Sequence, residues 1–248
     1  MEKTILYVRL NIKILLHNFL MLKAYIYCLK TSFSDLYRNW RVVITTACIS
    51  TAGLFLIPRF SIFGIVGGFM AGLMFVAILS YYYYWIANCQ HLKPLNFKEL
   101  ITFNMSMFSA TINVAFIFFI ASLIINSIST SSGNQFIKMA YNLILVLLLN
   151  PIPEVIYREQ YDGITSIKES FNFFQKNYIE WLLPLIILYL PILIYSPQNF
   201  PLLLSQSNPL LPFLSVIQAL GTTFVLPLIL IIAHWYMLFR ARLYDRLA

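Results

Sequence analysis

Lys168 to Tyr178 reads KESFNFFQKNY, and an eroded copy of it, KTSFSDLYRNW, stands much earlier at Lys30 to Trp40. The two agree at Lys30/Lys168, Ser32/Ser170, Phe33/Phe171 and Asn39/Asn177, and by residue type at Leu36/Phe174, Arg38/Lys176 and Trp40/Tyr178. Around the later copy Ile164, Ile167, Phe171, Phe174, Tyr178 and Trp181 recur three or four residues apart, while Thr165, Glu169, Asn172 and Lys176 take the opposite face. At 100° per residue that spacing makes an amphipathic helix. Each copy runs straight into an apolar stretch, so the helix is expected to lie on a membrane surface and lead the chain into it.

Working outward, 60% of the 248 residues are hydrophobic and only 10% are charged. A soluble domain carries about a quarter charged residues, so the composition points to an integral membrane protein. A formal charge of +8 would suggest nucleic acid in a soluble protein. Here the Lys and Arg residues stand beside apolar stretches, where such charges hold a topology and meet anionic lipid, and nucleic-acid binding is set aside. Cys28, Cys48 and Cys89 are odd in number and lack CxxC spacing, which gives neither a disulfide framework nor a zinc site. Arg9, Lys13 and Lys23 interrupt the apolar residues of the amino-terminal part and no small-residue cleavage site follows, so a removable signal peptide is not expected.

From Val8 to Trp40 an apolar seam recurs at Leu15, Phe19, Leu22, Ile26, Leu29, Phe33, Leu36 and Trp40, with Arg9, Lys13, Lys23, Lys30 and Arg38 opposite. Residues 1–41 therefore read as one or two interfacial helices. A true span through Ile14 to Leu29 is the alternative, and it would bury Lys23 near mid-membrane at about 2.5 kcal/mol or more. The six-span domain, 42–248, then begins. Val42 to Ile57 is the first span, flanked by Arg41 and Arg59 about 27 Å apart along a helix. Pro58 and Arg59 read as a tight outer turn, and Ser61 to Ala87 as a returning span that ends in the aromatic belt Tyr81 to Trp85. Within it Gly64, Gly68 and Gly72 fall every fourth residue and predict a smooth strip for close helix packing, or less plainly a substrate passage. The remaining spans are read at Met105 to Ile125, Phe136 to Pro153, Leu182 to Tyr195 (kinked or broken by Pro184 and Pro191) and Phe213 to Phe239.

The expected fold is all-α and polytopic: six transmembrane helices as three hairpins, each preceded by an interfacial amphipathic helix, in repeat units of about 30–95, 96–163 and 164–246. Six spans put every elbow and both termini on one side, with all basic residues except Arg59 and Lys138 and all nine acids. The positive-inside rule makes that side cytoplasmic, so the chain is expected in the cytoplasmic (inner) membrane. Elbow-and-hairpin units with an S-F-x-x-F/L-x-K/R-N-aromatic lead, clearest in DGITSIKESFNFFQKNY, resemble bacterial six-span proteins akin to the membrane domain of glycerophosphodiester phosphodiesterases and related families of unknown role. No soluble phosphodiesterase domain is expected within these 248 residues. The resemblance therefore implies a membrane module and carries over no reaction and no functional residue.

On the fourth span Lys138, Asn142, Asn150, Glu154 and Arg158 lie on one four-residue row. Asn113 on the third span and Gln218 and Thr222 on the sixth are candidates to face it, as hydrogen-bonding glue between helices or as a polar pathway. Glu154 and Arg158 read as an exposed i,i+4 pair at the cytoplasmic surface, or as a site for an ion or headgroup. Arg38, Lys168 and Lys176 are candidate ligands of lipid headgroups. His17, His91 and His234 are scattered, and the zinc, serine-nucleophile and phosphate-loop motifs are missing. No catalysis, metal or cofactor is expected. The leading functional expectation is a non-catalytic multipass module organising lipid or a partner protein, a membrane protein or a second copy of itself. The rival is a small-solute or lipid transporter with a polar site between spans 3, 4 and 6.

Overall fold

Hydrocarbon offers a backbone no hydrogen-bond partners, so apolar stretches of this length are stable there only as helices that satisfy their own N–H and C=O groups. The computed structural model describes residues 2–90, 95–148, 150–159, 161, 163–195 and 222–248; within them the backbone is helical apart from short connections and no strand is formed. Helix α1 (Glu2–Arg38) gives way at the single residue Asn39 to α2 (Trp40–Phe60), and a tight 3-10 turn at Ser61–Phe63 leads into α3 (Gly64–Cys89). Then follow the short α4 (Phe97–Ile101), α5 (Met105–Ser132), α6 (Gln135–Leu148), α7 (Ile152–Glu159), α8 (Gly163–Tyr195) and α9 (Thr222–Leu247).

Among the described residues α2, α3 and the stretch Lys98–Ser132 that carries α5 are long and apolar enough to cross a membrane. The 21 residues of α2 and the 26 of α3 give about 32 and 39 Å of helix, against a hydrocarbon core of about 30 Å. α6 has only 14 residues, and the chain breaks around Asn150 and Pro151 before α7 starts. The fourth span is thus not one helix to Pro153, because Pro151 and Pro153 supply no backbone N–H to continue the ladder.

Other boundaries differ from the sequence reading. The amino-terminal part is one helix of 37 residues. Pro58 lies inside α2, and the turn comes after it. Gly64 serves the backbone there: its φ of 58° opens α3 in the left-handed region that glycine tolerates. Among the described residues nothing lies within 4 Å of where a Cβ would stand at Gly68 or Gly72, so no described helix packs against that part of the glycine strip. Close approach is made instead at Gly67, where a Cβ would fall 1.6 Å from the Phe60 carbonyl oxygen. In α8 the helix departs from helical dihedrals at Asn177 (φ −127°, ψ 25°), ahead of both Pro184 and Pro191.

Burial is uneven along the helices. Trp85, Ile86 and Cys89 of α3, Met107 of α5, Val155 and Ile156 of α7, and Leu238 and Leu243 of α9 are fully buried. Towards the start of α3 and the far end of α5, Ile62, Ile65, Phe69, Phe116, Phe119 and Ile124 stand exposed. Tight packing gathers where α3 ends and α9 ends, while the start of α3 and the far end of α5 present bare apolar surface. That distribution fits lipid as solvent, since acyl chains solvate Ile and Phe as well as another helix does.

Candidate functional site

α9 does not stop being a helix at its arginines; it continues through Arg240, Arg242 and Asp245 to Leu247. Residues two to five apart there point to different neighbours, and Arg240, Arg242 and Asp245 each meet a different part of the chain. Arg242 donates from Nε (2.9 Å) and Nη2 (2.7 Å) to one oxygen of Asp35 at the end of α1, and from Nη2 to the Gln90 carbonyl at 3.0 Å. Arg240 donates to Glu154 Oε2 at 2.7 Å and to the Asn150 carbonyl at 2.6 Å. Asp245 pairs with Arg158. One turn and a half of helix thus ties α1, the end of α3 and the α6–α7 junction together.

The Asp35 end is closed by its own elbow. Arg38 Nη2 reaches the other Asp35 oxygen at 2.6 Å and the Cys89 carbonyl at 3.2 Å. Asn39, at the break between α1 and α2, donates from Nδ2 to the Asp35 carbonyl (3.0 Å) and to the Cys89 carbonyl (3.1 Å), and accepts from the Leu95 N–H at 3.1 Å. These side chains cap the last carbonyls of α3, which a helix end otherwise leaves unpartnered. Tyr25 joins the two elbow regions by donating to the Glu180 carbonyl at 2.7 Å. Burial, with Glu180 and Cys28 nearby, pushes the Tyr25 hydroxyl up to about 12, so it keeps its proton and remains a donor.

At the other end Glu154 is completely buried. Burial pushes its carboxyl up from the ordinary range, while the Arg240 guanidinium pulls it back down. The Tyr157 hydroxyl, one turn further on, sits near the carboxylate but closes no hydrogen bond with it. Arg240 lies over the rings of Trp181 and Tyr236, 5.1 and 5.8 Å from their centroids, and this flat, weakly hydrated cation tolerates such a wall.

Several residues singled out from sequence therefore stand elsewhere than expected. Glu154 and Arg158 form no exposed pair with each other, because α7 turns each towards its own partner on α9. Asn142 is buried, but Asn150 contributes its carbonyl, and the row from Lys138 to Arg158 is interrupted by the break before α7. Asn113 is exposed on α5, beside Gly163. Gln218 and the side chain of Thr222 lie outside the described residues. Arg38 is engaged inside the network, whereas Lys168 and Lys176 are exposed and pair with no acid among the described residues.

Sequence reasoning missed Asp35, Asn39, Gln90, Arg240 and Arg242 as a cluster. It read the basic residues as topology anchors and gave Asp35 no role of its own. A usable signal was present, since acids in a chain this apolar are few and Asp35 falls on a line with Cys28, Ser32 and Asn39.

The class of protein these features define is an all-α chain with helices apolar enough to cross a membrane, closed at one end by an ion-pair hub. Compared with known proteins, the chain matches no family model, no curated protein and no solved structure.

Proposed function

We propose that the chain is a non-catalytic multipass module of the cytoplasmic membrane: six spans as three hairpins, each led in by an elbow, with the elbows gathering anionic lipid on the cytoplasmic leaflet. The observation that carries the proposal is the matched burial of the two elbow helices. Cys28/Ser166 and Ser32/Ser170, all fully or almost fully buried, with Asp35/Phe173, form one inward stripe in register. Ile26/Ile164, Phe33/Phe171 and Trp40/Tyr178 are exposed in both copies, as are Lys30 and Lys168. At the break, Asn39 and Asn177 each donate from Nδ2 to the carbonyl four residues back, at 3.0 and 3.1 Å.

A stripe of small residues holding the helix to the protein, an apolar stripe facing out and lysines beside it is what a helix at a lipid surface requires. Arginine and lysine divide the work. The arginines Arg38, Arg158, Arg240 and Arg242 pair with Asp35, Glu154 and Asp245, while Lys30, Lys168 and Lys176 remain for phosphate. The pattern-level likeness to the phosphodiesterase membrane domain supports the architecture and adds no reaction.

The test is lipid selectivity. In nanodiscs of mixed anionic and zwitterionic lipid, Lys30→Gln, Lys168→Gln and Lys176→Gln together should reduce the enrichment of anionic lipid around the protein by roughly fivefold per charge or less. Unchanged enrichment with intact helicity refutes the reading. The transporter reading is favoured by one observation, that Asn142 is buried and its Nδ2 has no partner among the described residues. Asn142→Ala abolishing a flux while leaving abundance intact would support it; loss of abundance alone would make Asn142 a packing residue.

A further inference from the structure

Between α2, α3 and α4 lies a cavity of about 400 Å³ lined by Thr45, Ile49, Tyr81, Leu100 and Ile101. We propose that it holds one acyl chain of an anionic phospholipid of the elbow-side leaflet, with the phosphate against Arg41 and Lys98. This rests on the reading that α2 and α3 cross a membrane and that the elbows lie on its surface.

The wall is unsuited to a water-soluble ligand. Its one hydroxyl outside the tyrosine, Thr45 Oγ1, is already satisfied by the Arg41 carbonyl at 2.9 Å, and the aliphatic residues offer dispersion only. A solute pocket instead needs a few convergent polar groups to fix orientation. It opens to the outside of the molecule beside Ile101, a lining residue that is exposed, and α2 and α3 are among the helices apolar enough to cross a membrane. Hydrocarbon, not water, is then the neighbour of the groove.

Two cations stand one turn away from its lining. Arg41 precedes Thr45 by four residues and Lys98 precedes Ile101 by three, so each basic residue lies one turn from a lining residue on the same helix face. The acid next to Lys98, Glu99, is occupied: Glu99 Oε2 accepts from the Asn96 N–H at 2.8 Å while Asn96 caps α4 in return. The Tyr81 ring packs at a tilt against Phe103 (5.0 Å) and Trp85 (5.8 Å), an aromatic group of the kind found near headgroups. An apolar slot with an aromatic ring in its wall and two cations a turn beyond its lining match the build of an anionic phospholipid.

The experiment is native mass spectrometry of the full chain released from nanodiscs of equimolar phosphatidylglycerol and phosphatidylethanolamine. Wild type should retain one phospholipid, with phosphatidylglycerol preferred. Ile49→Trp fills the slot and should abolish the retained lipid, and Thr45→Phe, which fills it one turn earlier on the same wall, gives the same readout if the first variant does not fold. Arg41→Gln with Lys98→Gln should keep a lipid but lose at least fivefold in preference for phosphatidylglycerol. Retention of the lipid in either filled variant overturns the groove. Should Lys168→Gln and Lys176→Gln alone remove the preference while the filled variants keep their lipid, the groove falls and the elbow reading stands; if neither set changes anything, both fall.

Discussion

Replacing Arg242 by Met removes a cation while keeping most of the aliphatic stem, and so isolates the charge. Asp35 accepts three charge-assisted bonds, two from Arg242 at 2.9 and 2.7 Å and one from Arg38 at 2.6 Å, with its side chain only 4% exposed. Breaking a fully buried pair costs about 3 to 5 kcal/mol, chiefly because the remaining charge is left uncompensated. Here Arg38 stays and the Arg242 side chain is 23% exposed, which lowers the expectation to about 2 to 3 kcal/mol. That is a roughly 30- to 150-fold shift in the unfolding equilibrium. Asp35→Leu combined with Arg242→Met removes both charges and should be less destabilised than the sum of the single variants by at least about 1 kcal/mol. The assay is reversible unfolding in mixed micelles followed by tryptophan fluorescence. An Arg242→Met variant within 0.5 kcal/mol of wild type, or strictly additive single variants, would refute the view of α9 as an ionic clamp.

Two further outcomes follow from the same geometry. Asn39→Ala breaks three hydrogen bonds across two helices and should cost about 2 to 4 kcal/mol, while Asn177→Ala breaks one and should cost about 1 kcal/mol, measured in the same unfolding titration. Gly67→Ala should sharply reduce folded protein recovered from the membrane because its Cβ meets the Phe60 backbone, whereas Gly68→Ala and Gly72→Ala should be recovered at wild-type levels.

The helical class was legible because hydrophobic length is a local property, and α2, α3 and α5 follow from it directly. The helix at Lys168 to Tyr178 was legible through its periodicity, but its seam is divided: Ile164, Phe171 and Tyr178 stand exposed, whereas Trp181 is buried and Ile167 packs against the core. What periodicity cannot give is which helix faces which. Glu154 and Arg158 look like partners on a helical wheel, yet each is claimed by a residue more than eighty positions away on α9. Likewise a four-residue glycine spacing describes a smooth strip without saying whether anything lies against it. Pro184 and Pro191 were weighted as breakers, while Asn177, whose side chain takes a backbone carbonyl of its own helix, marks the bend in α8.

The central claim is that the ion-paired, tightly packed end of the molecule lies at the cytoplasmic surface and the bare apolar halves lie in the bilayer. Single cysteines test it most directly in a Cys48→Ala background, since Cys28 and Cys89 are buried. Cysteine placed at Thr165 or Asn96, both exposed at the elbow end, should resist an impermeant thiol reagent in intact cells and react after permeabilisation. Cysteine at Ser131, exposed at the far end of α5, should react from outside without permeabilisation. The reverse pattern, with Thr165 and Asn96 labelled from outside and Ser131 protected, would contradict the account.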